Sequence, residues 1–125
     1  ERFDLNIAGL RAMLNSPFGT GISNFGSTSP TFERYPVHNA VIQVGSELGL
    51  PGFMAFIALL AWIAWRLLRA TLAATDVDAR VRVGALLAGY VVLIIAIQVE
   101  PEGYSLFLLI YLGLAEAAAR TMTKT

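Results

Sequence analysis

His38 is the residue whose type points most directly to chemistry, because it is the single histidine among the 125 residues. Histidine is the side-chain type whose unperturbed pKa lies near neutral pH, which suits it to take up and release protons. His38 is therefore our candidate general base. The alternative is an interfacial histidine that caps a helix or bonds a backbone carbonyl, and position alone does not decide between the two.

Three arginines, Arg2, Arg11 and Arg34, are candidates for binding an anion near His38. A guanidinium group can bind phosphate or pyrophosphate through two parallel hydrogen bonds, although each arginine can equally be a solvated or interfacial charge.

Glu47 follows His38 by about two and a half helical turns, which puts the two on opposite faces of a continuous helix. We therefore expect Glu47 to bond another helix rather than His38.

Other kinds of site lack their sequence patterns. The chain has one histidine, no cysteine and no carboxylate cluster at ligand spacing, so we predict no metal site. Neither a GxSxG nor a GxxxxGK[ST] pattern is present, and we predict no cofactor. Nine basic and nine acidic side chains give a net charge of zero, which disfavours binding to nucleic acid.

The elements that must position these residues are predicted to be membrane helices. Only 14% of the residues are charged, against about 25% in an ordinary soluble domain. Uncharged runs cover residues 48–65, 83–99 and 103–115, and the first is ~27 Å long as a helix, close to the thickness of a bilayer core. We predict an all-α, polytopic transmembrane fold with spans at 48–68, 83–99 and 103–119, and we expect further helices upstream.

The distribution of basic residues predicts which side of the membrane each link occupies, since short cytoplasmic links are enriched in Lys and Arg. The link between the first two spans carries Arg66, Arg69, Arg80 and Arg82, whereas the link around Gln98 and Glu100 has no basic residue. We therefore place the first link in the cytoplasm and the second outside. Residues 1–47 then form an extracytoplasmic segment that carries His38, and residues 48–125 form the membrane helices.

Within residues 1–47 we expect two helices separated by a loop. Asp4 is predicted to cap a helix to about Leu14, whose apolar residues would let it lie along the membrane surface. These residues are Leu5, Ile7, Ala8, Leu10, Ala12 and Leu14. Residues 17–30 are rich in Gly, Ser, Thr and Pro, as in a turn series. A second helix should begin near His38 or Asn39 and be interrupted around Gly49, Pro51 and Gly52.

The strings PFGTGISNF and HNAVIQVGSELGLPG resemble the O-antigen ligase and lipid-linked polysaccharide polymerase superfamily. That family has a P-x-G-x-G turn and then an H-N pair followed by E-x-G-x-x-G at the start of a membrane helix. The matching residues are Pro17, Gly19, Gly21, His38, Asn39, Glu47, Gly49 and Gly52. The departures are Ile42, where the family usually has Leu, and Pro51 inside the last segment.

The resemblance implies a metal-independent membrane glycan transferase in the bacterial inner (cytoplasmic) membrane. Such proteins transfer a glycan from a polyprenyl-diphosphate donor to a glycan, lipid or protein acceptor on the outer face. By this resemblance His38 is the catalytic base, and the substrate-binding candidates are Arg2, Arg34, Asn39 and Glu47. An upstream arginine of the family is not in these residues. The alternatives are a solute transporter or transport-associated membrane protein of the same superfamily, and a non-catalytic membrane partner subunit.

Overall fold

The structure is a computed structural model that describes residues 2–22, 39–99 and 106–122, and over these residues it is all-helical. The described helices are α1 (Arg2–Asn15), α2 (Ala40–Ala73), α3 (Val77–Ala96) and α4 (Leu106–Met122). The predicted helical fold class is confirmed for this part of the chain. The chain divides into two compact units, Glu1–Ala58 with Ala96–Tyr104 and Leu59–Ile95 with Ser105–Thr125.

Two helices, α2 with 34 residues and α3 with 20, are long and apolar enough to cross a membrane. Only 17% of the most apolar window of α2 and 11% of that of α3 is buried inside the chain. A core helix of a soluble protein would bury most of such a window, so these apolar surfaces match what lipid requires. Helix α4 has 17 residues and is ~25 Å long. The third span remains a prediction.

The basic link between the first two predicted spans is largely helical. Helix α2 continues to Ala73 and α3 begins at Val77, so only residues 74–76 connect them. Asp76 Oδ2 accepts a hydrogen bond from the Ala79 amide at 2.9 Å, and Arg80 Nη2 donates to the Ala74 carbonyl at 2.7 Å. Helix α3 thus begins before residue 83, where the uncharged run starts, because these hydrogen bonds cap it early, and it ends at Ala96.

The second unit is held together by apolar side chains at helical spacing. The buried apolar residues of α2 in this unit, and of α4, recur every three or four positions, which places each set on one helix face. They are Leu60, Ile63, Leu67 and Ala70 in α2, and Leu108, Leu112, Ala115 and Ala119 in α4. Two tyrosines add hydrogen bonds to helix carbonyls. Tyr90 donates to Leu60 O at 2.6 Å, and Tyr111 donates to Leu86 O.

The first unit packs α1 against α2. A Cβ on Gly45 would lie 2.6 Å from the Met13 sulfur, so the two helices approach closely at this glycine. Helix α1 begins at Arg2, and Asp4 lies in its first turn. The prediction that Asp4 caps this helix was therefore wrong. Its carboxylate still stabilises the helix, because a negative charge near the N-terminus interacts favourably with the helix dipole.

The apolar residues predicted to share one face of α1 are divided between two environments. Leu5 is 2% exposed and lies in the core, whereas Leu10 is 44% and Leu14 73% exposed. Leu5 and Leu14 are nine positions apart, about two and a half turns, so they point in nearly opposite directions around the helix. Only the inner face of α1 is accounted for by packing within the described residues.

Candidate functional site

Three of the five predicted site residues lie partly or wholly outside the described residues. His38 and Arg34 are outside them, and Arg2 is described only as the first residue of α1. Their predicted roles therefore stay predictions. Asn39 and Glu47 are both described, and they lie in the first unit, before the uncharged run that begins at residue 48.

Asn39 is the N-cap of α2. Its Oδ1 accepts hydrogen bonds from the Val41 amide at 3.0 Å and the Ile42 amide at 3.1 Å, which satisfies two of the backbone donors that a helix start leaves open. Its Nδ2 donates to Gln98 Oε1 at 2.8 Å. The side chain that was predicted to contact substrate therefore makes three structural hydrogen bonds and fixes the direction in which α2 begins.

A second hydrogen bond joins the start of α2 to the turn that follows α3. The Ala40 amide donates to the Ile97 carbonyl at 2.8 Å, and both residues are almost fully buried. Asn39 and Ala40 thus attach the start of α2 to Ile97 and Gln98 through one side-chain and one backbone contact. Gln98 was placed in an outer link by the charge pattern, and its role as a partner of Asn39 has no signature in the sequence.

The predicted interruption of α2 is confirmed, and it is located at Gly49. This residue has φ 73° and ψ −170°, a conformation that glycine adopts at little cost and other residues rarely adopt. Pro51 follows in the first turn of the next helical segment, where its missing N–H is tolerated. The kink thus lies directly after Glu47, at the beginning of the uncharged run.

The kink leaves two backbone carbonyls of α2 without their usual helical partners. The Glu47 carbonyl would accept from residue 51, but Pro51 has no N–H. The Ser46 carbonyl would accept from residue 50, but the Leu50 amide instead donates to the Pro17 carbonyl at 2.8 Å. Buried carbonyls need hydrogen-bond donors, so the break in α2 leaves two acceptors that the backbone of another segment can satisfy.

The P-x-G-x-G loop supplies the missing donors. The Thr20 amide donates to Ser46 O at 3.0 Å and the Gly21 amide to Glu47 O at 2.9 Å, while Thr20 Oγ1 also donates to Ser46 O at 3.1 Å. With the bond from Leu50 to Pro17, four hydrogen bonds join residues 17–21 to residues 46–50. We call this contact the loop–kink junction.

Glycine is required on both sides of the loop–kink junction. Gly19 and Gly21 have φ of 86° and 94°. A Cβ on Gly19 would lie 2.2 Å from the Glu47 carbonyl oxygen, and one on Gly49 would lie 2.3 Å from the Pro17 carbonyl oxygen. These distances are to backbone atoms, which cannot turn away as a flexible side chain can. The two strings on which the resemblance rests therefore meet in space, with their glycines at the contact.

The side chain of Glu47 is a buried carboxylate with an unsatisfied oxygen. Glu47 is 5% exposed, and its Oε2 has no hydrogen-bond partner among the described residues. Gln43 precedes Glu47 by one helical turn on the same face, and its Oε1 is likewise buried without a described partner. A buried carboxylate is costly unless a donor or cation satisfies it, so this face of α2 is suited to receive a donor group.

Sequence reasoning did not select Thr20, Ser46, Gln43 or Gln98. Thr20 occupies a variable position of the P-x-G-x-G string, and Ser46 contributes its backbone carbonyl, which no side-chain pattern reveals. Gln43 could have been found from its spacing to Glu47, since residues four apart share a helix face.

Comparisons of the chain with protein-family models, with curated proteins and with solved structures found no match. The class that the described structure itself defines is an all-helical protein with two helices able to cross a membrane.

Proposed function

We propose that the chain is part of a membrane glycan transferase of the O-antigen ligase or polysaccharide polymerase type. The observation that carries this proposal is the loop–kink junction. The resemblance rests on two strings more than a dozen residues apart, and a shared active site requires them to be in contact. Four hydrogen bonds provide that contact, and Gly19 and Gly49 are required by its geometry.

The proposed substrates are a glycan linked through pyrophosphate to a polyprenyl lipid and an acceptor hydroxyl on the outer face of the bacterial cytoplasmic membrane. The uncharged runs at 48–65 and 83–99 contain no Asp, Glu, Lys, Arg or His that would handle a solute at mid-bilayer, where transporters usually need such a residue. Asn39 and Glu47 both precede the first uncharged run. This arrangement favours chemistry at the membrane surface.

In the proposed reaction the His38 imidazole removes the proton of the acceptor hydroxyl, and the oxygen attacks the anomeric carbon of the donor sugar. The bond between that carbon and the diphosphate oxygen breaks with inversion, and polyprenyl diphosphate leaves with the electron pair. Arg2 and Arg34 stabilise the negative charge of the diphosphate. The scheme uses no metal and no cofactor.

Asn39 takes a positioning role in this proposal. Its Oδ1 and Nδ2 are engaged by the start of α2 and by Gln98, which fixes Asn39 itself. We propose that Asn39 in turn restrains His38, which directly precedes it in sequence. A general base must be held within hydrogen-bond reach of the proton it removes, and an N-cap with a second anchor supplies that constraint.

Glu47 is proposed to hold an arginine. A guanidinium matches a carboxylate with two parallel hydrogen bonds, and Arg34 is the candidate because it is the arginine nearest to His38 in the sequence. Glu47→Gln and Arg34→Gln should each lower transfer, and the double variant should lose little more than either single variant. Strictly additive losses in this double-mutant cycle would show that the two side chains do not interact.

The direct test of the proposal uses the full-length protein reconstituted with a polyprenyl-diphosphate-linked glycan. His38→Gln should abolish transfer while membrane insertion and thermal stability stay at the wild-type level. Arg82→Gln is the control variant, since Arg82 is exposed on α3 and has no role in the scheme. Unchanged transfer by His38→Gln would show that His38 is not the general base. If the wild-type protein has no transfer activity and His38→Gln loses solute uptake, the transporter alternative is favoured.

The surface glycan of cells lacking the gene distinguishes the two proposed reaction types. Short chains that are not joined to their acceptor would indicate a ligase, whereas single repeat units would indicate a polymerase.

A further inference from the structure

A groove of about 400 Å³ runs along α2 in the second unit. Its lining residues are Trp62, Trp65, Arg66, Arg69 and Ala73, whose spacing of three and four places them on one helix face. The volume lies in the range of about 300–1,000 Å³ that is usual for small-molecule sites. The glycan-transfer scheme makes no use of any of these residues.

The groove lies where the apolar part of α2 ends. Trp65 is the last residue of the uncharged run and Arg66 is the first charged residue after it. Trp62 and Trp65 are 56% and 54% exposed. Tryptophan rings next to arginines are typical of the headgroup level of a bilayer, so we expect the groove to extend from the edge of the hydrocarbon into the headgroup region.

Two guanidinium groups give the groove its charge. The Arg69 guanidinium lies 5.5 Å from the centre of the Trp65 ring, a cation–π contact that holds it over the aromatic surface. Arg66 Nε lies 3.5 Å from Glu116 Oε2, which is too long for a hydrogen bond. Both of these buried atoms lack a hydrogen-bond partner among the described residues.

The carboxylate of Glu116 does not neutralise the groove, because it is shared. Its Oε1 accepts a hydrogen bond from Arg120 Nε at 2.8 Å, whereas Arg66 makes the longer contact to Oε2. One carboxylate therefore faces two arginines, and Arg69 adds a third positive charge. The groove keeps a positive charge and a buried N–H donor at Arg66, and these are the features that bind a phosphate oxygen.

We propose that this groove binds the headgroup of an anionic phospholipid, with its phosphodiester between Arg66 and Arg69 and its acyl chains along the apolar surface near Trp62. Basic pockets beside membrane helices at the headgroup level bind anionic lipids in this way. A lipid is favoured over a soluble anion because the groove continues from charged to apolar residues along one helix face.

The test uses the full-length protein in nanodiscs that contain equal amounts of phosphatidylglycerol and phosphatidylethanolamine, with retained lipid counted by native mass spectrometry. The wild-type protein should retain phosphatidylglycerol preferentially. Arg69→Gln should lower that retention about fivefold, as expected for the loss of one direct contact to the lipid phosphate. Arg69→Lys should lower it less, because charge is kept and only the planar fork is lost.

The matched control is Arg82→Gln, which removes the same charge from an exposed residue of α3 that does not line the groove; its lipid retention should equal that of the wild type. Equal retention of phosphatidylglycerol in Arg69→Gln and wild type would overturn the proposal, as would equal retention of the two lipids by the wild type. Release of the lipid by millimolar inorganic phosphate would assign the groove to a soluble anion and also overturn it.

Discussion

The loop–kink junction and the packed helices of the second unit achieve stability by different means. The junction joins its segments through backbone amides and carbonyls, with Gly19, Gly21 and Gly49 at positive φ. The second unit joins its helices through apolar side chains such as Leu67 and Leu108, which are 0% and 1% exposed. Backbone hydrogen bonds demand one conformation, whereas apolar packing accepts several side chains of similar volume.

The loop–kink junction and the second unit should differ in the substitutions that they tolerate. At the junction an added methyl group meets backbone atoms, which cannot move away without breaking hydrogen bonds. In the helices of the second unit, Gly84 and Gly113 have nothing within 4 Å of an added Cβ. The same substitution should therefore have opposite effects in the two regions.

Gly49→Ala should give the largest effect. The new Cβ would lie 2.3 Å from the Pro17 carbonyl oxygen, and alanine disfavours a φ of 73°, so we expect a loss of about 3 kcal/mol or more in the free energy of unfolding. Gly84→Ala is the matched control and should stabilise α3 by about 0.5–1 kcal/mol. Thermal unfolding of both variants in detergent measures the difference, and equal melting temperatures would contradict this contrast.

Asn39→Ala should have the next largest effect, because it removes a helix cap and the hydrogen bond to Gln98 together. We expect a loss of about 1–2 kcal/mol and, under the proposed function, a larger fall in glycan transfer, because Asn39 is the proposed positioning residue for His38. Gln98→Ala separates the two contacts, because it removes the acceptor of the Asn39 Nδ2 hydrogen bond and leaves the cap in place. Transfer by Gln98→Ala equal to that of Asn39→Ala would show that the cap contributes nothing.

Tyr90→Phe probes the second unit and should have a smaller effect. The phenol donates to the Leu60 carbonyl at 2.6 Å, and its removal keeps the ring in place, so we expect a loss of about 1 kcal/mol. Glycan transfer should stay at the wild-type level, because Tyr90 is not part of the junction. Chemical denaturation and the transfer assay together check this, and a strong loss of transfer at normal stability would contradict the division between the regions.

Much of the helical architecture could be predicted from composition. The uncharged runs at 48–65 and 83–99 predicted the two helices that are able to cross a membrane, because the length and apolarity of a run are enough to indicate such a helix. Helix ends were less predictable. The early start of α3 depends on Asp76 and on Arg80, and such local hydrogen bonds are not visible in a hydropathy pattern.

The candidate site shows the same limit at the level of single residues. The break near Gly49 was predicted from Gly and Pro, whose backbone properties are local. The contact between the loop and the kink was not, because it joins residues 17–21 to residues 46–50 through backbone atoms. Similarly, the hydrogen bond between Asn39 and Gln98 links residues far apart in sequence, and no pattern of residue types specifies such a pair.

Amide hydrogen exchange on the full-length protein measures whether the P-x-G-x-G loop is fixed to the kink of α2. The amides of Thr20, Gly21 and Leu50 donate across the junction, so each should exchange about a hundredfold or more slowly than an unstructured amide, although Thr20 and Gly21 lie in no helix. Exchange of these three amides at the rate of an unstructured chain would contradict the account.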